Sequence, residues 1–103
     1  MGEVRVSPRD SEVRVSLGDE VVVELPENAT TGYLWSVQHI DGGLEVTSDE
    51  YRAPGQVLPG AGGQRVVRVR PTAAGEGLVR LVLKRPWESA VQDQHSVRIS
   101  VSD

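Results

Sequence analysis

The feature that most constrains this chain is an alternation of period two that recurs almost from end to end, as in Val13-Arg14-Val15, Val67-Arg68-Val69 and Val97-Arg98-Ile99-Ser100-Val101. Such alternation puts apolar groups on one face of an extended backbone and polar groups on the other, which is the signature of a half-buried strand. No segment carries a convincing helical period. The pattern predicts strands over about 3–7, 12–17, 20–25, 33–40, 44–51, 64–70, 77–84 and 94–101. Apolar residues make up 38% of the chain and none is phenylalanine. The core must therefore be assembled from many small branched side chains, which suits sheets better than helices. The expectation is an all-β fold, an antiparallel β-sandwich of about seven or eight strands, formed as one domain over 1–103 because 103 residues leave no room for a second independent core.

Several function classes are disfavoured at once. A net charge of −4, with arginines scattered along alternating strands, argues against a nucleic-acid partner, which needs a clustered basic surface. The absence of cysteine excludes a disulfide scaffold, a thiolate metal site and a thiol enzyme, and leaves the redox compartment open. No stretch reaches the apolar length of a membrane span. Met1-Gly2-Glu3 lacks the basic start and apolar run of a signal peptide, which makes the chain as written cytoplasmic, or secreted or periplasmic if a leader has been removed. His39 and His95 fall on different predicted strands, with no spacing for metal ligands. Ser96 should face away from its neighbour His95, so Asp93, His95 and Ser96 make no triad. No catalytic residue, metal or cofactor is expected.

Glu3-Val-Arg-Val-Ser7 recurs as Glu12-Val-Arg-Val-Ser16. The repeat reads either as a duplicated unit or as two short strands with the same in-out pattern, and the second reading is preferred. Pro8 between the copies marks a bend or an edge strand that changes sheets.

The connections are of two kinds. Leu17-Gly18-Asp19, Asp41-Gly42-Gly43 and 71–76 read as ordinary turns. Those at about 26–32, 52–63 and 85–93 are longer and hold the unusual residues. If each connection reverses the chain, alternate connections share an end, and the three long loops converge there in the way an immunoglobulin domain displays its recognition loops. Long loops on a compact scaffold point to binding.

The first reads Asn28-Ala29-Thr30-Thr31-Gly32-Tyr33, whose short hydroxyls and amide can fix a sharp turn, with Gly32 suited to a positive φ. It is also open to reading as a plain hairpin loop, and Asn28-Ala29-Thr30 is formally a glycosylation sequon. Trp35 in the next strand is assigned to the core. The second holds Gly60-Ala61-Gly62-Gly63, which precedes a strand and lacks a following Lys-Ser/Thr, so it is not a phosphate loop but flexible backbone for contact or linkage. The third opens on Arg85-Pro86-Trp87. Proline stiffens the segment, and Trp87 lies where the core alternation has ended, either as an interface anchor or folded over the end of the sandwich.

Asn-x-Thr-Thr-Gly-Tyr-x-Trp, then Gly-x-Gly-Gly, then Arg-Pro-Trp, in this order and on three loops at one end, resemble the chagasin family of cysteine-protease inhibitors. The resemblance covers nearly the whole chain. It implies an immunoglobulin-like sandwich that inhibits papain-like cysteine proteases reversibly, as a monomer and without chemistry of its own. It implies that Asn28, Ala29, Thr30, Thr31 and Gly32 enter the catalytic cleft. Gly60, Gly62 and Gly63 would make backbone contacts on one side, and Arg85, Pro86 and Trp87 would clamp the other, with Trp87 stacking on an aromatic surface. Ala29 departs from the family's usual proline and should weaken binding without abolishing it. The alternative is an immunoglobulin-like adhesion or interaction module that uses the same loops for another protein or a glycan.

Overall fold

The computed structural model describes residues 2–53 and 62–103. Its strands are β1 (Glu3–Val6), β2 (Glu12–Ser16), β3 (Glu20–Glu27), β4 (Leu34–Asp41), β5 (Leu44–Arg52), β6 (Gly63–Pro71), β7 (Gly75–Lys84) and β8 (Asp93–Ser102). Each expected strand is present, with its ends moved by at most two residues. They form two four-stranded sheets, β1-β3-β6-β5 and β2-β8-β7-β4. Alternate side chains of both sheets meet in one cluster, in which Val21, Val23, Val67, Val69, Val79, Leu81, Val97 and Ile99 are all fully enclosed. Each such side chain contributes about 1.5–3 kcal/mol relative to exposure. Trp35 belongs to the same cluster, as expected from its place in the pattern.

Pairing of β3 with β6, β5 with β6, β4 with β7 and β7 with β8 is antiparallel. The antiparallel sandwich carries two parallel pairs at its edges: β1 runs parallel to β3, and β2 runs parallel to β8. The two Glu-Val-Arg-Val-Ser copies are thus edge strands of opposite sheets, with Val4, Val6, Val13 and Val15 turned toward the core. Residues 7–11, including Pro8, carry the chain between the sheets in a turn held by Asp10, whose Oδ2 accepts Ser7 N–H at 2.9 Å.

These edge strands are short. β1 ends at the pair Val6 and Val23, and β2 begins at the pair Glu12 and Arg98, so both flank the same half of the sandwich. In the other half each sheet is three strands wide. The open long edges, β4 and β5, each carry a bulge, between Val37 and His39 and between Val46 and Ser48, which discourages pairing with another chain.

Since consecutive strands from β3 to β8 reverse direction, the connections 28–33 and 85–92 lie at the three-strand end, together with the end of β5 and the start of β6. The turns 42–43 and 72–74 lie at the other, where Gly42 has φ 79 and its place beside the Glu76 carbonyl leaves no room for a Cβ. Both ends of the chain are also at that far pole: the Gly2 carbonyl accepts Glu20 N–H at 2.8 Å, and Ser102 lies opposite Ser16.

β3 runs two residues further than the sequence pattern suggests, through Pro26 to Glu27. A proline inside a run of alternation reads as a strand end because it cannot donate to a ladder. Here its carbonyl turns away from β6 to accept Trp35 Nε1–H at 2.9 Å. The missing N–H therefore faces the edge that β1 has already left open.

Candidate functional site

The first loop is built around a single 3-10 turn, Ala29–Thr31, which is too short to leave a helical period in the sequence. Asn28 caps it: Oδ1 accepts the Thr30 N–H at 3.1 Å and the Thr30 hydroxyl at 2.7 Å. The Asn28 carbonyl accepts the Thr31 hydroxyl at 2.8 Å, and Thr31 Oγ1 in turn accepts Tyr33 N–H at 3.2 Å. Gly32 closes the turn in the left-handed region, φ 81 and ψ −7. The hydroxyls are thus spent on bracing the loop, while Ala29, Thr30 and Thr31 remain exposed. A loop ordered by its own side chains loses little freedom on binding.

The third loop begins with a turn in which Glu88 N–H bonds the Arg85 carbonyl at 3.0 Å and Pro86 holds the second position, where its fixed φ is favoured. Lys84 Nζ reaches the Glu88 carbonyl at 3.2 Å, and Gln92 N–H returns to the Leu83 carbonyl at 2.8 Å. Trp87 is 72% exposed on this rigid turn, so of the two readings open in sequence the structure takes the displayed one.

Two contacts join the first and third loops. Arg85 Nε donates to the Thr31 carbonyl at 3.2 Å, while its guanidinium lies 4.4 Å from the centre of the Tyr33 ring, a cation–π arrangement. The edge of the Trp87 indole lies against Gly32, where a Cβ would stand 2.8 Å from Trp87 Cη2. Asn28, Ala29, Thr30, Thr31 and Gly32 are therefore brought together with Arg85, Pro86 and Trp87.

The second loop is described only at its two ends, and Gly60 lies outside the described residues. Gly62 is exposed and borders the first loop, since a Cβ there would approach the Glu27 carbonyl at 3.8 Å and Asn28 Cβ at 4.0 Å. Gly63 is buried as the first residue of β6, opposite Glu27. It has a packing reason to be glycine: a Cβ would meet Tyr51 Oη at 2.5 Å and the Arg52 carbonyl.

Sequence reasoning missed the layer beneath the loops. Glu27 is buried, and its carboxylate accepts Trp35 N–H at 2.6 Å and Arg65 Nε and Nη2 at 3.2 and 2.8 Å. Arg65 also reaches Asp49 through Nη1 at 3.3 Å, and the carboxylate of Glu27 holds its guanidinium protonated even more firmly than usual. The signal was in the parity. Val21, Val23 and Leu25 lead inward to Glu27, and Val69 and Val67 lead back to Arg65, so opposite charges sit at core-facing positions of paired strands.

His39 is on β4 and His95 on β8, in pairs with Arg80 and Leu81 of β7 respectively. His95 pairs with the buried Leu81, whereas Ser96 bonds Arg80 Nε at 3.3 Å on the opposite face. Among the described residues no group of three or more His, Cys, Asp or Glu is placed to hold a metal ion.

A family model described as chagasin family peptidase inhibitor I42 matches residues 14–101. Chagasin of Trypanosoma cruzi is 34% identical over 87 residues, covering 77% of this chain and 76% of that protein. Amoebiasin-1 of Entamoeba histolytica is 33% identical over 85 residues, covering 80% of each. The crystal structure of the cysteine protease inhibitor EhICP2 from Entamoeba histolytica superposes with a TM-score of 0.85 at 18% identity, covering 97% of this chain and 96% of that one. The sandwich fold is thus shared with that inhibitor, and the chain belongs to the chagasin family of peptidase inhibitors.

Proposed function

We propose that this chain is a reversible, tight-binding inhibitor of papain-like cysteine proteases that occludes the active-site cleft with its three loops. The observation that carries the reading is the self-braced 3-10 turn locked onto the Arg85-Pro86-Trp87 turn. Ala29, Thr30 and Thr31 project from a base that cannot easily shift, which suits them to fill a cleft. Asn28 and Gly32 shape that projection, Trp87 and Pro86 flank one side of it, and Gly60 and Gly62 supply backbone on the other, while Gly63, buried against Tyr51 at the start of β6, serves packing instead of contact. Inhibition then requires shape and no chemistry: a filled cleft excludes substrate, and a loop that offers no carbonyl in attack geometry survives beside the nucleophile. The chain would act as one domain and as a monomer. A glycan-binding module fits less well, because Trp87 is the one exposed tryptophan among the described residues and Tyr51 is packed over Gly63.

Titration of papain and of cathepsin-like enzymes with the purified chain is expected to abolish activity at one inhibitor per enzyme. The inhibitor should be recovered intact, and a serine protease should be unaffected. Absence of inhibition at micromolar concentration across several papain-like enzymes would overturn the reading.

Ala29 offers a second check. It is the first residue of the 3-10 turn, where a missing N–H costs nothing, and Asn28 before it is extended at φ −108 and ψ 104, close to what a following proline requires. Ala29→Pro should therefore stiffen the free loop by about 0.4–1 kcal/mol. Since the loop is already braced by its own hydrogen bonds, this sets the upper bound, an inhibition constant lower by at most roughly two- to fivefold. Weaker inhibition by the proline variant would show that the loop must move to bind.

A further inference from the structure

Glu27 is the one buried charged side chain among the described residues, and its position is what singles it out. It stands at the last residue before the first loop, and the N–H it accepts from Trp35 lies just beyond that loop, so the bond draws the two ends of the loop together. Its other partner, Arg65, lies two positions past Gly63 on the strand that leaves the second loop. Arg65 passes the connection on to Asp49 on β5, the strand that runs into the second loop. One carboxylate and one guanidinium therefore connect the strands on both sides of the first loop to those on both sides of the second.

A purely stabilising role is a poor explanation for such a pair. Withdrawing two charges from water costs about as much as their attraction returns, and apolar replacements of similar volume often serve the fold equally well or better. What apolar groups cannot supply is direction. Three N–H groups aimed at one carboxylate fix the backbone at the loop base. Resting on the inhibitory reading above, we infer that Glu27 and Arg65 are positioning residues for inhibition: they hold the two ends of the first loop in register with β5 and β6, so that the free molecule already presents that loop as it binds the protease.

This role predicts a kinetic signature. If register is lost, only a fraction of folded molecules is competent, and the apparent affinity falls by that fraction. The loss then appears in the association rate, because a complex once formed is held by unchanged contacts.

The test uses the full chain with Glu27→Met and Arg65→Met combined, which removes both charges and leaves neither buried alone. Melting temperature, inhibition constant and association and dissociation rates on papain are measured with inhibitor concentration fixed by active-site titration. The double variant is expected to melt near the unmodified chain while inhibiting roughly tenfold or more weakly, with the change in the association rate. Glu27→Gln, which keeps an acceptor for Trp35 N–H but loses the charge facing Arg65, is expected to show a smaller shift of the same kind, and it decides the matter if the double variant does not fold.

Unchanged inhibition by folded variants, whatever their melting temperature, would overturn the inference and leave the inhibitory function standing. A loss confined to the dissociation rate would overturn it too, since it would make these residues part of the contact surface. Failure of the unmodified chain to inhibit would remove the inhibitory reading and this inference together.

Discussion

Trp87→Ala is expected to weaken inhibition of papain by about thirtyfold or more, equivalent to a hot-spot loss of about 2 kcal/mol, while leaving the fold intact. The two halves of that expectation come from the same number. A side chain 72% exposed contributes little to the free molecule, yet it holds most of its apolar surface in reserve for a partner. Its backbone is already fixed by Pro86 and by the Glu88 to Arg85 hydrogen bond, so little ordering is required when the indole is covered. The loss should appear as faster dissociation, as is usual for interface truncations. An inhibition constant within threefold of the original, with an unchanged melting temperature, would remove Trp87 from the binding surface.

A larger effect is expected from a single methyl group at Gly32. Gly32→Ala places a side chain where φ is 81, a region that costs an L-residue about 1–2 kcal/mol. It also puts the new Cβ within 2.8 Å of Trp87 Cη2, so the indole and the 3-10 turn cannot both stay where they are. Losing the turn's shape and the indole's position together should weaken inhibition on the order of a hundredfold. A double-mutant cycle separates the two causes. With Trp87 already alanine the collision is gone and only backbone strain remains, so Gly32→Ala should cost less in that background than in the original chain. Strictly additive losses would mean that the contact between the two loops does not matter for binding.

The contrast with the double methionine variant is informative, because the three sets of changes reach inhibition by different routes. On the proposed reading Trp87 would act through contact, Gly32 through the shape of the first loop and its neighbour, and Glu27 with Arg65 through the register of the first loop with β5 and β6. The first should alter mainly the dissociation rate and the last mainly the association rate.

Alternation made the strands legible, because each face of each strand meets one environment over its whole length. Val13 and Val15, Val67 and Val69, and Val97 to Val101 all point where their parity requires. Three things were less visible for physical reasons. Pro26 hides the end of β3, because a residue that cannot donate looks like a stop unless one knows that its neighbour on that side has already ended. The parallel edges are hidden because an in-out pattern is the same in either direction of pairing. The contacts of Arg85 are hidden as well: its side chain is turned back onto Thr31 and Tyr33, which spacing along the chain does not reveal. Residues that touch a partner are visible in exposed motifs. Residues that hold those motifs in place lie in the strands and look like core or surface until a partner strand is known.

The placement of both chain ends at the far pole has a practical consequence for tethering. β8 alone, at 10 residues, separates Ser102 from the loop end by about 30 Å. A surface, a dye or a second protein attached through Gly2 or Asp103 therefore sits behind the sandwich, with the loops facing outward and free. A molecule held through either residue turns its loop end to solution, and two joined there would face opposite ways.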